Sequence, residues 1–196
     1  MKKWAVLFIL MPLLLLAACG EEEEEIETNM SDKILDFEFT TQDDETLSSD
    51  DLKGQYWIAD MIFTNCTTVC LPMTTNMSKL QDSLAEEGID DVHLVSFSVD
   101  PDYDTPEVLK EYADLYDADL SNWSFLTGYD FDTIHELSVK SFRSLLQEAE
   151  PGDDQVTHGT RFYLVDPEGN VIKNYSGTES EDLDFIIDDL KIVTNS

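Results

Sequence analysis

The feature that most restricts the possible folds of this chain is a pair of apolar runs of strand length. A segment with helical periodicity joins them. Residues 56–63 and 93–99 are apolar at most positions, which is typical of strands covered on both faces of a sheet. Residues 67–87 between them carry apolar side chains at every third or fourth position, as an amphipathic helix does, and Gly88 ends that pattern. The spaced positions are Val69, Met73, Met77, Leu80 and Leu84. This succession predicts an α/β domain.

The rest of the chain continues the alternation of strands and helices. An N-terminal strand is predicted over residues 34–39, followed by a polar hairpin or loop over 41–54. The later predicted elements are a helix over 106–115 with Thr105 as its N-cap, a strand over 123–127, a helix opening at Asp130, an acidic loop over 148–157, a hairpin of strands 160–165 and 171–175, and a last helix over 180–192. The order is that of a thioredoxin-like fold, with a mixed central sheet flanked by helices and an N-terminal hairpin extension.

The N-terminus predicts the cellular compartment. Two lysines precede the apolar run Trp4–Ala18, which is shorter than the roughly 20 residues of a membrane-spanning helix and suits a signal peptide. The run ends in Leu16-Ala17-Ala18-Cys19-Gly20, which resembles a bacterial lipoprotein processing site where the cysteine accepts the lipid. The alternative is an ordinary signal peptide with an incidental cysteine.

We therefore predict a lipoprotein signal peptide over residues 1–18 and a lipidated acidic tether over 19–30. Five consecutive glutamates make the tether a solvated segment, because like charges repel and resist burial. A single domain over 31–196 would then be anchored to the outer face of the cell membrane. The formal net charge of −32 argues against a nucleic-acid partner, since phosphates would repel the chain.

Cys66 and Cys70 stand four residues apart where a predicted buried strand leads into a predicted helix. Residues four apart on a helix share a face, so both sulfurs could reach one metal ion or form a disulfide. A disulfide closing so short a loop would stabilise the fold little, which favours a chemical role. Amides at a helix N-terminus also favour thiolate, the form that binds metals and attacks disulfides.

His158 precedes a strand in a loop that, in a thioredoxin-like domain, returns beside the first helix. Its imidazole could therefore approach the two sulfurs. Two thiolates and an imidazole suit copper(I) and can also hold copper(II), so we predict a copper site of Cys66, Cys70 and His158. The alternative is a surface histidine. Met73 and Met77 are assigned to core packing, and His93 and His135 to structural roles.

Three motifs in one order resemble the Sco/SenC family. They are Thr64-Asn-Cys66-Thr-Thr-Val-Cys70-Leu-Pro72, then Ser98-Val-Asp100-Pro-Asp-Tyr-Asp104-Thr-Pro106, and His158 followed by Gly-Thr-Arg-Phe-Tyr163-Leu-Val-Asp-Pro167. The family pattern is Cys-x-x-x-Cys-Pro, whereas here Leu71 separates Cys70 from Pro72. By resemblance, Asp100 and Asp104 belong to a loop near the copper site. Either they orient His158, or they start the turn and cap the helix before Pro106.

The resemblance implies copper delivery to the dinuclear copper centre of cytochrome c oxidase subunit II. Two other functions use the same residues: a thiol–disulfide oxidoreductase that keeps the oxidase's copper-site cysteines reduced, and a peroxidase. Neither alternative gives His158 a role, so copper binding is favoured. Oxidation of Cys66 and Cys70 would remove two ligands, so redox chemistry is compatible with copper binding.

Overall fold

The computed structural model describes residues 25–152 and 154–194, which build one mixed eight-stranded sheet with helices on both faces. The sheet order is β1-β10-β9-β4-β5-β6-β2-β3, and β7 and β8 form a separate two-stranded sheet. The strands are β1 (Asp32–Lys33), β2 (Glu38–Thr41), β3 (Thr46–Ser48), β4 (Tyr56–Ile62), β5 (Val92–Ser98), β6 (Trp123–Thr127), β7 (Leu146–Gln147), β8 (Thr157–His158), β9 (Arg161–Val165) and β10 (Asn170–Ser176). The helices are α1 (Cys70–Glu87), α2 (Pro106–Leu115), α3 (Phe131–Phe142) and α4 (Asp182–Thr194).

Strands β4, β5 and β6 run parallel at the centre, and β9 joins β4 in the antiparallel direction. Helices cover both faces of the sheet at β4 and exclude water from it, which explains why the sequence of this strand is a nearly continuous apolar run. Alternate residues of β4 enter different cores. Ile58 and Ile62 pack with α1, α2 and α4, whereas Trp57 and Met61 pack with α3 on the opposite face. The predicted mixed sheet flanked by helices is confirmed, and β2 and β3 form the predicted N-terminal hairpin.

The predicted strand over residues 34–39 is interrupted in the structure. β1 pairs with β10 at one edge of the sheet, whereas β2 pairs with β6 near the other. One continuous strand cannot pair at both edges, so the chain crosses between them. During the crossing the backbone N–H of Leu35 donates to Ser141 Oγ, and that of Phe37 donates to Ser49 Oγ. The alternation of apolar residues in this segment reflects burial during the crossing.

Helix α1 begins three residues later than the periodicity predicted, at Cys70, with Val69 at the N-cap position. Pro72 is the third helical residue. The first three N–H groups of a helix have no intrahelical partner, so a proline costs no helical hydrogen bond there. Met73 and Met77 are fully buried in the core, which confirms their assignment to packing.

Some residues before the predicted domain boundary at 31 contact the folded domain. Ile26 is partly buried against one of the two cores, and the backbone N–H groups of Asn29 and Met30 donate to the Ile172 carbonyl on β10. Apart from Ile26 and Met30, which are partly buried, residues 25–30 are exposed, and the tether and its boundary stay predictions. The signal peptide and Cys19 lie outside the described residues. Within 25–152 and 154–194, no helix combines the length and apolarity needed to cross a membrane.

Candidate metal centre

The fold brings Cys66, Cys70 and His158 together, as the sequence predicted. One donor atom from each side chain, the two Sγ atoms and a ring nitrogen, lies within 4.8 Å of the other two. Cys70 Sγ is 3.2 Å from His158 Nε2. Cys66 is half-buried, whereas Cys70 and His158 are buried with 1% and 8% of their surfaces exposed. The cluster is therefore open to solvent mainly on the Cys66 side.

The two cysteines approach by a route that the sequence did not predict. Cys66 precedes α1 and lies in the irregular segment after β4, so the two residues do not share a helix face. Instead the backbone N–H of Cys70, at the first position of α1, donates to Cys66 Sγ over 3.4 Å. The side chain of Val69, the N-cap residue of α1, makes no capping hydrogen bond. The sulfur of Cys66 therefore serves as the acceptor that an N-cap side chain would otherwise provide.

These surroundings shift the pKa values of the two thiols in opposite directions. A side-chain hydrogen bond with Cys70, with contributions from His158 and nearby backbone N–H groups, lowers the pKa of Cys66 to about 3. The same contact with Cys66, together with burial, raises the pKa of Cys70. Metal-free and reduced, the pair therefore holds one thiolate at the half-exposed position and one thiol beneath it.

His158 is fixed on both sides of its ring. Its Nδ1 lies 2.9 Å from the Gly159 carbonyl, and a carbonyl only accepts, so Nδ1 carries a proton in this contact. In the neutral ring this leaves the lone pair on Nε2, which faces Cys70. The ring of Phe63 packs edge-on against the imidazole, with 5.7 Å between the ring centroids. Strand β8, paired to β7, holds the histidine from the backbone.

Asp104 contacts the Cys66 segment. Its carboxylate, fully buried, accepts hydrogen bonds from Ser98 Oγ at 2.5 Å and from Thr64 Oγ1 at 2.5 Å, and also from the backbone N–H of Thr64. Thr64 stands two residues before Cys66, so Asp104 fixes the start of the segment that carries the first sulfur. Orienting His158 was one of the two roles open to Asp104 from the sequence. The ring of His158 has the Gly159 carbonyl as its partner at Nδ1, and the hydrogen bonds of the Asp104 carboxylate are with Thr64 and Ser98.

Asp100 serves the turn before α2. Its carbonyl oxygen accepts from the N–H groups of Tyr103 and Asp104, and burial raises the pKa of its carboxyl. Thr105 is the N-cap of α2, and its Oγ1 accepts from the N–H of Val108. Of the two roles open to Asp100 from sequence, its contacts support the turn.

Asp60 lies close enough to His158 to interact with it electrostatically, and it was not predicted from the sequence. It lies in the middle of β4, fully buried, and accepts a hydrogen bond from Ser96 Oγ at 2.6 Å. Its second carboxyl oxygen is buried and has no hydrogen-bond partner within the described part of the chain. Burial raises the pKa of Asp60 to about 7, while Ser96 and the charge of His158 oppose that rise. A lone acidic residue within a buried apolar run was the signal that could have identified it.

The other histidines lie elsewhere. His93 on β5 has Nε2 3.0 Å from Ser124 Oγ, and burial lowers its pKa. His135 lies on α3 beside the ring of Phe131.

Comparison with known proteins identifies the family. Residues 26–195 match the description of the SCO1/SenC family. The crystal structure of a SCO1/SenC family lipoprotein from Bacillus anthracis is 46% identical to this chain, with a TM-score of 0.82, and the match covers 87% of this chain and 99% of that one. The structure of BsSco, a member of the Sco family of cytochrome c oxidase assembly proteins in which a disulfide switch was identified, is 44% identical with a TM-score of 0.80, covering 87% and 98%.

A more distant neighbour is the copper-bound crystal structure of yeast Sco1, which is 25% identical with a TM-score of 0.66 and covers 82% of this chain and 89% of that one. The thioredoxin-like fold and the resemblance carried by the three motifs are thus confirmed. The chain belongs to the SCO1/SenC family.

Proposed function

We propose that this protein binds one copper ion through Cys66, Cys70 and His158 and delivers it during assembly of cytochrome c oxidase. The observation that carries the proposal is the convergence of two thiol sulfurs and one imidazole nitrogen within 4.8 Å. Two related proteins support the proposal. Yeast Sco1 has been crystallised with copper bound, and BsSco is described as a member of the Sco family of cytochrome c oxidase assembly proteins.

The donor set favours copper over hard cations. Thiolates are soft ligands that select copper(I), and an imidazole extends the set to copper(II), whereas magnesium and calcium prefer oxygen donors. The acidic side chain buried nearby, Asp60, already accepts from Ser96. Binding requires Cys70 to lose its proton, so copper uptake releases protons and the apparent affinity rises with pH.

The exposure of the three ligands suggests an order of contact. Cys66 is half-buried and its pKa of about 3 keeps it a thiolate, so it meets an incoming copper ion first. Cys70 and His158 close the coordination from beneath. Release to a partner would run in reverse and begin at Cys66, where an incoming ligand from the recipient can reach the metal.

A thiol–disulfide oxidoreductase is the second candidate function, and the asymmetry of the two thiols favours it. A half-exposed thiolate above a buried thiol is the arrangement of an attacking and a resolving cysteine. The disulfide switch of BsSco supports redox chemistry at this pair. Oxidation would remove two copper ligands, so thiol state could control copper transfer. A peroxidase would need one attacking thiol and a resolving one, and would leave His158 without a role.

The proposed recipient is subunit II of cytochrome c oxidase, with its dinuclear copper centre. The proposed location is the outer face of the cell membrane, with the chain anchored through a lipid on Cys19. The Bacillus anthracis relative, described as a lipoprotein, supports the anchor. The net charge of −32 disfavours a nucleic-acid partner.

Copper titration of the reduced protein tests the proposal. We expect one ion per domain, binding abolished in Cys66→Ser and in Cys70→Ser, and affinity weakened at least a hundredfold in His158→Ala, because a ligand is lost each time. His93→Ala is the matched control and should bind as the parent does. If His158→Ala bound copper as tightly as the parent while its thiols still exchanged rapidly, the oxidoreductase function would replace the copper function.

A further inference from the structure

Gln155 connects the two segments that carry the metal-binding side chains. It lies in the loop before β8, three residues ahead of His158, and its carboxamide reaches the segment between β4 and α1. From the sequence, this stretch was predicted only as an acidic loop.

The carboxamide holds the residues on both sides of Cys66. Its Oε1 accepts from the backbone N–H of Thr67 at 3.2 Å and from Thr67 Oγ1 at 3.1 Å. Its Nε2 donates to the Asn65 carbonyl at 3.1 Å and to Asp154 Oδ1 at 2.9 Å. The side chain of Asn65 in turn donates to Asp154 Oδ2 at 2.8 Å. One side chain thus uses both its acceptor and its donors to bracket a single cysteine.

This bracket matters because Cys66 stands outside regular structure. The segment is held at its start by Asp104 through Thr64 and at its end by α1, which begins at Cys70. The two residues that flank Cys66, Asn65 and Thr67, are held by Gln155 and its neighbour Asp154. This position requires a side chain that accepts a hydrogen bond from one backbone N–H and donates another to a backbone carbonyl. A carboxamide can do both at once.

We propose that Gln155 is a positioning residue of the metal centre: its carboxamide fastens the residues on both sides of Cys66 to the segment that carries His158, so that the half-exposed sulfur is held at the distance the other two donors require. The inference rests on the proposed copper function and adds the device that pre-organises it. Holding a ligand in place before binding lowers the conformational cost of binding and slows release.

Gln155→Ala tests the proposal, with Gln147→Ala on the neighbouring strand β7 as the matched control. In the metal-free reduced protein, NMR should show faster hydrogen exchange at the Thr67 N–H in Gln155→Ala alone. Copper competition against a coloured chelator should show affinity about tenfold weaker in Gln155→Ala and unchanged in Gln147→Ala, since two or more hydrogen bonds that fix the ligand are lost. The thiolate-to-copper absorption should shift in Gln155→Ala, which a general loss of stability would not cause.

Gln155→Glu separates the hydrogen bonds that Gln155 accepts from Thr67 from the one it donates to Asn65. This variant also tests the proposal if the alanine variant folds poorly. It keeps an oxygen for Thr67 but cannot donate to Asn65, so Thr67 should stay protected from exchange. Parent-like copper affinity, absorption and Thr67 exchange in Gln155→Ala would overturn the proposal. If the parent itself bound no copper, the proposed function would fail, and exchange at Thr67 together with the alkylation rate of Cys66 would still decide whether Gln155 positions the cysteine.

Discussion

Cys66 and Cys70 have the same side chain, yet their surroundings give them different protonation states. The half-exposed Cys66 receives hydrogen bonds and stays a thiolate, whereas the buried Cys70 keeps its proton. The spacing of the two cysteines and the presence of His158 predicted the donor set. The asymmetry between the thiols could not be predicted, because it depends on Cys66 lying outside α1 and on which sulfur the fold covers.

Asp60 leads to a prediction about stability and pH. Its carboxyl has an ordinary pKa of 3.8 in the unfolded chain and a pKa of about 7 in the folded protein, because burial disfavours the charge. Between these values the folded protein holds a proton that the unfolded chain has released. This carboxyl therefore makes the free energy of unfolding fall as pH rises from 4 to 7, and its effect is constant above.

Asp60→Asn should remove that contribution, since asparagine is neutral throughout and can still accept from Ser96. We expect the variant to match the parent near pH 4 and to exceed it at pH 8 by on the order of a few kcal/mol. Urea unfolding of the reduced, metal-free protein at several pH values measures the difference. The exposed Asp82→Asn on α1 is the control and should follow the parent. Parallel curves for the parent and Asp60→Asn would contradict the assigned pKa.

At the scale of elements, α2 shows how well a local signal can predict structure. Thr105 and Pro106 predicted the start of this helix, and the structure confirms both the N-cap hydrogen bond to Val108 and the proline at the first helical position. We expect Thr105→Ala to lower the free energy of unfolding by about 1 kcal/mol, because a helix N–H loses its partner. Chemical denaturation measures the change.

Thr133→Ala is the matched control for this helix cap. Thr133 is exposed in the first turn of α3, whose N-cap is Asp130, so its side chain does not cap the helix. The control should change stability by less than about 0.5 kcal/mol. An equal loss in both variants would show that the Thr105 hydroxyl contributes nothing specific.

Elements defined by long-range contacts were predicted less well. The periodicity of residues 67–87 was correct for α1, but its start was not, because the Cys66 segment is held by Asp104 and Gln155, which are distant in sequence. The strand predicted over 34–39 was likewise interrupted, since the chain crosses from one sheet edge toward the other. Local periodicity predicts which residues are buried, and pairing partners decide where an element ends.

For the whole molecule, the proposed lipid anchor makes a prediction about membrane attachment. Cys19→Ala should abolish incorporation of radiolabelled fatty acid, because the thiol that would accept the lipid is absent. Cell fractionation with fatty-acid labelling measures this outcome. Cys66→Ser removes a cysteine of the folded domain and should be labelled like the parent. A Cys19→Ala protein that remained in the membrane with its signal cleaved normally would count against the anchor.

The position of Ile26 limits how far the metal centre can lie from the membrane surface. Ile26 lines a surface groove with Tyr56, the first residue of β4, whereas Cys66 follows the opposite end of that strand. A strand of this length spans roughly 23 Å, and residues 19–25, fully stretched, reach at most about 25 Å. Residues 63–66, between β4 and Cys66, add at most about 14 Å. If Cys19 carries a lipid, copper can therefore be transferred only to a recipient site that lies within roughly 60 Å of the bilayer surface.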